Sequence, residues 1–373
     1  MHEIALALAS WLSGGKDRDV VISTRVRFAR NLNDALFPWR ASLTEASETR
    51  DRLSQTIRSL VPSINEYQLE GLDLATLRAF SERSWIDSVS SSDPSRSLFL
   101  TDEGATLFLL NEIDHFRVAS FGAGSDVSAP YERSHQYESL LDAELSWAAN
   151  EKQGYLTSRI EDVGSGLRIS ALVFIPGILS SGVFDRVARG LLDSGIEPRL
   201  RTTDYAENER LTIGTKDDDK LEAQDTSPYV ELSANAKLGL SEDSFISSFT
   251  QSLLSLVEGE RRTRERLLKS RQNELEDASF RAAALLYSAR LLKEEETRRM
   301  LGDLRSGLAY GFLHEAQAEE KAGNKDMYAY PDALRLLIGP ACLRMRQEAQ
   351  KKNNSIEQMR AELVRATLPR YDI

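Results

Sequence analysis

Four arginines stand beside strand-like segments, and together they are what a phosphate-binding surface would need. Arg25 and Arg27 are two residues apart, directly after the β-branched run Val20-Val21-Ile22-Ser23-Thr24. If the strand continues through them, both side chains project from one face. Two forked guanidiniums on one face can clamp phosphate oxygens. Arg117 lies just past another strand-like segment, and Arg168 follows the turn Gly164-Ser165-Gly166. Taken singly, each is more simply a surface ion-pair residue, and spacing alone does not show that the four converge. The acidic candidates are Glu112 and Asp114, beside His115, and Glu207 in a polar stretch that also carries Asp217-Asp218-Asp219.

Composition removes several other chemistries. The 373 residues hold 47 Lys and Arg against 58 Asp and Glu, a net charge of -11. Non-specific nucleic-acid binding needs a basic surface and is not expected of so acidic a chain. Cys342 is the only cysteine, which excludes an intrachain disulfide and a multi-cysteine metal site. The four histidines (His2, His115, His135, His314) show no His-x-x-x-His spacing, which argues against a zinc enzyme. No apolar run approaches the roughly 18 residues of a membrane span. The N-terminus lacks the basic stretch of a signal peptide. A reducing cytoplasm is the expected setting.

The elements that must carry these residues can be read in outline. Residues 1–15 suggest a short amphipathic helix ending at Gly14-Gly15, and 42–85 a mostly helical region. Strands are expected over 97–100 and 105–111, then 154–158 and 167–174 around the turn at 162–166. Helices are expected over 134–152 and 176–194, a solvated loop over 204–227, and a further strand at 230–232. From about residue 242 proline disappears until after residue 325, and Leu, Ala, Glu and Arg dominate. This divides the chain into a first domain, 1–245, and an α-helical domain, 246–373, whose last helix runs from Ile356 to Ala366.

Three segments, in order, resemble one family. Ser23-Thr24-Arg25-Val26-Arg27 with Arg30 resembles the S-S/T-R-V-R-x-A/G-R segment of the ATP:guanidino phosphotransferases. Asn111-Glu112-Ile113-Asp114-His115-Phe116-Arg117 is similar to their N-E-E-D-H-x-R segment. Gly154-Tyr155-Leu156-Thr157-Ser158, followed by Val163-Gly164-Ser165-Gly166-Leu167-Arg168, resembles G-Y-L-T-S-C-P-x-N-x-G-T-G-x-R. Too little chain precedes Arg25 for the N-terminal helical domain of creatine and arginine phosphagen kinases. The helical C-terminal part looks like the bacterial protein arginine kinases.

The resemblance implies an α+β fold: a mixed, mainly antiparallel sheet flanked by helices, followed by an α-helical domain. It implies ATP and Mg²⁺, with the γ-phosphoryl group passing to arginine side chains of protein substrates. Arg25, Arg27, Arg117, Arg168 and Arg201 would hold the phosphates, and Glu112 would help order Mg²⁺. In the C-terminal domain the family reads phosphoarginine with R-D-x-x-R-A-x-L-I-R. Arg360 and Arg365 keep two of those positions, while Ile356 and Glu357 replace the first two; a solvated amphipathic helix is the plainer alternative. A homodimer through the helical domain, a Clp-type chaperone-protease and a small zinc-binding activator are the implied partners.

Three departures bear on activity. Ile113 replaces a glutamate that orients the acceptor guanidinium, and an aliphatic group cannot accept its hydrogen bonds. Glu112 and Asp114 are not expected to substitute, because neighbouring strand residues face opposite ways. Arg159 replaces a reactive cysteine; it would repel a cationic acceptor, reach the phosphates, or pair with Glu161 or Asp162. Glu207 is the best match for the second acceptor glutamate once one residue is inserted, in a loop that has lost both flanking glycines; a solvated loop carboxylate is the plainer alternative. Two functions stay open: a protein-arginine kinase, and a catalytically impaired relative that binds nucleotide and regulates a kinase or a Clp-type protease system.

Overall fold

The computed structural model describes residues 9–86, 93–101, 104–200, 228–314, 327–351 and 353–372. Its central strand, β1 (Val21–Arg30), runs on through Arg25, Arg27 and Arg30. The β-branched start suits a pleated surface. The other strands are β2 (Asn65–Gln68), β3 (Ser97–Leu100), β4 (Thr106–Leu110), β5 (Phe116–Ala123), β6 (Ala149–Asn150), β7 (Gly154–Tyr155), β8 (Leu167–Phe174), β9 (Glu197–Leu200) and β10 (Tyr229–Asn235). Eight of them form one sheet in the order β2-β3-β4-β5-β1-β8-β10-β9, and β6 pairs only with β7. Every pairing in the large sheet is antiparallel. The sheet, expected to be mainly antiparallel, is antiparallel in every pairing, a geometry that can keep one face polar.

The register separates the two faces. Arg27 lies opposite Arg168 on β8 and Ala119 on β5, and Ala29 lies opposite Arg117. Cross-strand partners share a face, so Arg25, Arg27, Arg117 and Arg168 occupy the same side. The alternate residues Val26, Phe28, Val118, Ile169 and Val173 point the other way and build the main core with Val230 and Leu232. That core is covered by α1 (Leu43–Leu60), α3 (Ser128–Asp142), α4 (Pro176–Ser180), α5 (Phe184–Asp193) and the start of α6 (Glu242–Ser288), with α2 (Leu74–Glu82) on the opposite side of the sheet.

Helix α6 begins where the composition changes, near residue 242, and belongs to two cores. Phe245, Phe249, Leu253 and Leu256 pack in the sheet core. Beyond Arg271, whose backbone leaves the helical region, Ala282, Ala283 and Leu286 pack with α7 (Glu294–Tyr310), α8 (Ala329–Leu337) and α10 (Ile356–Thr367). Helix α9 (Pro340–Gln350) returns to the sheet. Its Cys342 and Met345 join Leu77 and Phe80 of α2 over Leu98, Leu107 and Leu109, the apolar extension of the arginine-bearing face.

One buried carboxyl marks this contact. Glu82 sits against the first residues of α9, where a Cβ on Gly339 would overlap its Oε2. Burial pushes the Glu82 carboxyl up to about 7, against the opposing pull of the Cys342 thiol and Arg298. Burial likewise pushes the Cys342 thiol up to about 12, so it stays protonated. Glu82 therefore binds its proton more tightly folded than unfolded. The stability this confers is complete below the ordinary carboxyl value and is lost as pH rises through about 7. Urea unfolding is expected to show a decline of about 3 kcal/mol between about pH 4 and about pH 8 that is absent in Glu82→Gln. An equal decline in the variant would assign the titration to other groups.

Candidate phosphate-binding site

The polar face of β1, β5 and β8 gathers the four arginines by register alone, but their partners differ. Arg25 donates to the Ser84 carbonyl at 3.2 Å, and Arg168 donates to Ser233 Oγ of β10 at 3.0 Å. Neither forms an ion pair with a described carboxylate. Burial and the neighbouring Arg25 charge together push the Arg168 guanidinium down from its usual value. A cation held against a like charge and partly out of water would gain from a bound anion.

Arg27 and Arg117 are compensated. Arg27 Nη2 donates to both oxygens of Asp162, at 2.9 and 3.1 Å, and Asn235 Nδ2 donates to the same carboxylate. Arg117 lies 3.2 Å from Asp114 and 3.5 Å from Glu112, whose other oxygen accepts from Arg96 at 3.0 Å. The strand alternation expected across Glu112, Ile113 and Asp114 is absent. Residues 111–115 form the turn between β4 and β5, not strand, and Asn111 adopts a left-handed φ of 52° there. Asp114 also accepts from Asn31 at 2.9 Å and from the Ser158 amide at 2.7 Å. His115 is packed and lowered in pKa by burial; its Nδ1 accepts from the Leu32 amide, and Nε2 donates to the Leu36 carbonyl.

Arg30 has a different task. It lies on the opposite face from Arg25 and Arg27, with Nε on Glu138 at 2.8 Å and its guanidinium 3.6 Å from the centre of the Tyr155 ring. Its Nη1 donates to the Ser165 carbonyl, fixing the turn that leads into Arg168. Gly166 there has a φ of 67°, and a Cβ would lie 2.5 Å from the Ala29 carbonyl oxygen. Only glycine meets both conditions.

The remaining candidates are dispersed. Arg201 and Glu207 lie outside the described residues. Ile113 is half-buried in the turn. Arg159 opens the short turn at 160–162 and forms no ion pair with a described residue; Asp162, one of its expected partners, faces Arg27 instead. Arg360 donates to the Ile338 and Leu292 carbonyls at 2.9 and 2.7 Å, and Arg365 to the Ala289 carbonyl. Both therefore cap the ends of neighbouring helices in this structure. Asp162, Asn235, Ser233 and Arg96 escaped the reading of the sequence as site residues. Asp162 alone left a trace, inside the Gly-rich turn segment.

No group of three or more His, Cys, Asp or Glu among the described residues could hold a metal. Mg²⁺ is commonly held by one or two carboxylates and the substrate's phosphates. Glu112, the carboxylate expected to serve such an ion, is held here by Arg96 and Arg117. No helix among the described residues is long and apolar enough to cross a membrane.

Comparison with known proteins identifies the family. The family model described as ATP:guanido phosphotransferase, C-terminal catalytic domain, matches residues 48–263. The one described as protein-arginine kinase McsB C-terminal domain matches 272–372. The chain is 29% identical over 297 residues to a protein-arginine kinase of Exiguobacterium, covering 80% of each chain. It is 26% identical over 372 residues to that of Bacillus velezensis, covering 98% of this chain and 95% of the relative. Among solved structures, it resembles the duplicated taurocyamine kinase of Schistosoma mansoni at a TM-score of 0.57 and 21% identity, covering 72% of this chain and 38% of that one. A lombricine kinase aligns at 0.51 and 21% identity, with 69% and 70% covered. These structures share the fold.

Proposed function

Because the chain belongs to the ATP:guanido phosphotransferase family, we propose that it is a protein-arginine kinase, passing the γ-phosphoryl group of ATP to arginine side chains of protein substrates. One observation carries this: guanidiniums from β1, β5 and β8 share a polar sheet face, and two of them have no described carboxylate partner. Phosphoryl transfer asks chiefly for charge compensation and alignment. Arg25, Arg27, Arg117 and Arg168 supply the first, with Arg201 as a fifth member. Mg²⁺, held through Glu112, would add charge neutralisation at the phosphates. As the N–P bond forms and the P–O bond to ADP breaks, the acceptor nitrogen gives up a proton to Glu207, the carboxylate proposed to orient it.

Ile113 and Arg159 favour a second reading, in which nucleotide binds without transfer and the protein regulates a kinase or a Clp-type protease system. Under either, a Clp chaperone-protease, a zinc-binding activator and a second copy paired through residues 246–373 are the proposed partners. Arg360 and Arg365 would read phosphoarginine once released from their carbonyls.

Calorimetry with ATP, followed by detection of acid-labile phosphoarginine on a mixed-protein substrate, tests the proposal. Binding with transfer is expected. The double variant Ile113→Glu, Arg159→Cys is expected to raise the transfer rate by about 10- to 100-fold, as restored acceptor orientation should. ATP binding with no transfer in either protein would leave the second reading standing.

A further inference from the structure

Asp162 is the side chain that most changes the character of the arginine cluster. Its carboxylate is fully buried, and the Arg27 side chain facing it is 7% exposed. Both oxygens lie within hydrogen-bond distance of one guanidinium nitrogen, and Asn235 at the end of β10 holds the same carboxylate. Carboxylate and phosphate oxygens compete for the same guanidinium fork. In a site shielded from water, a second anion near the first is strongly disfavoured. Arg27 lies directly opposite Arg168, whose charge burial and Arg25 both oppose.

We propose that Asp162 is an internal anion that occupies Arg27 in place of a nucleotide phosphate, so that ATP binds only by displacing or sharing that contact and binds more weakly for it. This rests on the nucleotide reading of the arginine face. The device is local: residues 160–162 form one short turn directly before the glycine-rich segment, so a small shift of that turn frees Arg27. In the motif that this segment resembles, the residue at this position is asparagine, which can meet Arg27 and Asn235 without a charge.

Asp162→Asn keeps the shape and the hydrogen-bonding reach of the side chain, and calorimetry is the test. ATP and inorganic tripolyphosphate serve as separate probes, the second carrying no base. The variant is expected to bind both at least about tenfold more tightly than the unmodified chain, by a similar factor. A merely structural Asp162 would leave affinity unchanged or weaken it, and either result with a wild-type protein that binds ATP overturns the inference alone. If neither protein binds ATP, the nucleotide reading falls and the inference falls with it. Asp162→Ala, which removes the anion altogether, is expected to bind tripolyphosphate more tightly too; failure to do so while Asp162→Asn succeeds would point to positioning by the amide and overturn the competition.

Discussion

Replacing Arg168 by alanine is expected to weaken ATP binding by about 10- to 100-fold, the loss of one or two charge-assisted hydrogen bonds to phosphate, without lowering the stability of the unliganded protein. The two halves of this expectation come from the same circumstance. Arg168 is charged where burial and Arg25 both oppose its charge, and its one described hydrogen bond goes to the neutral Ser233. Folding therefore gains little from the guanidinium, whereas a bound triphosphate would gain a good deal. Lysine is not expected to rescue, because a compact ammonium lacks the planar fork. Calorimetry and urea unfolding on the same preparation provide the check. A variant that loses stability and keeps its affinity would identify Arg168 as a structural residue and remove it from the phosphate-binding face.

That face was only half legible in the sequence. The strands at 97–100 and 167–174 lie where the pattern puts them, because short apolar runs bounded by turn residues leave few alternatives. That Arg25 and Arg27 share a side follows from a spacing of two once the strand continues. That Arg168 and Arg117 join them depends on β1 pairing with both β5 and β8, which are remote in sequence. No local signal encodes that adjacency; the family motifs supplied it. Local reading failed where tertiary partners decide. Residues 65–68 pair at the sheet edge inside a region read as helical. The expected strand at 154–158 keeps only Gly154–Tyr155, because Ser158 turns its amide toward Asp114. The Glu112-Ile113-Asp114 run looked like strand, yet Asn111 reverses the chain there and turns two neighbouring carboxylates onto one arginine. Composition found where the chain becomes helical. It did not find that α6 would serve the sheet core before the helical one.

The second large effect is expected at Asp332→Ala, which should lower the unfolding free energy by about 3–5 kcal/mol. Asp332 is fully buried and accepts from Arg305 Nε at 2.7 Å and from Arg18 Nη2 at 3.0 Å. Arg305, also fully buried, donates to the Arg18 and Asp19 carbonyls, and its guanidinium lies 4.4 Å from the centre of the Phe174 ring. Arg264 of α6 donates to the same Asp19 carbonyl and pairs with its carboxylate. Removing Asp332 strands two guanidiniums out of reach of water, and that penalty exceeds what an exposed pair of the same geometry would contribute. The network also ties α7 and α8 to the residues directly before β1, the strand that carries Arg25 and Arg27. Loss of the carboxylate should therefore loosen the helical layer and the arginine face together. Urea unfolding followed by tryptophan fluorescence and by far-ultraviolet circular dichroism should move to lower denaturant in both signals, with a smaller accompanying drop in ATP affinity. Asp332→Asn retains acceptor capacity and is expected to fall between the two, which keeps the test open if the alanine variant does not fold. A change below about 1 kcal/mol in the asparagine variant and in the alanine variant alike would mean that the buried charges are compensated by the backbone carbonyls alone.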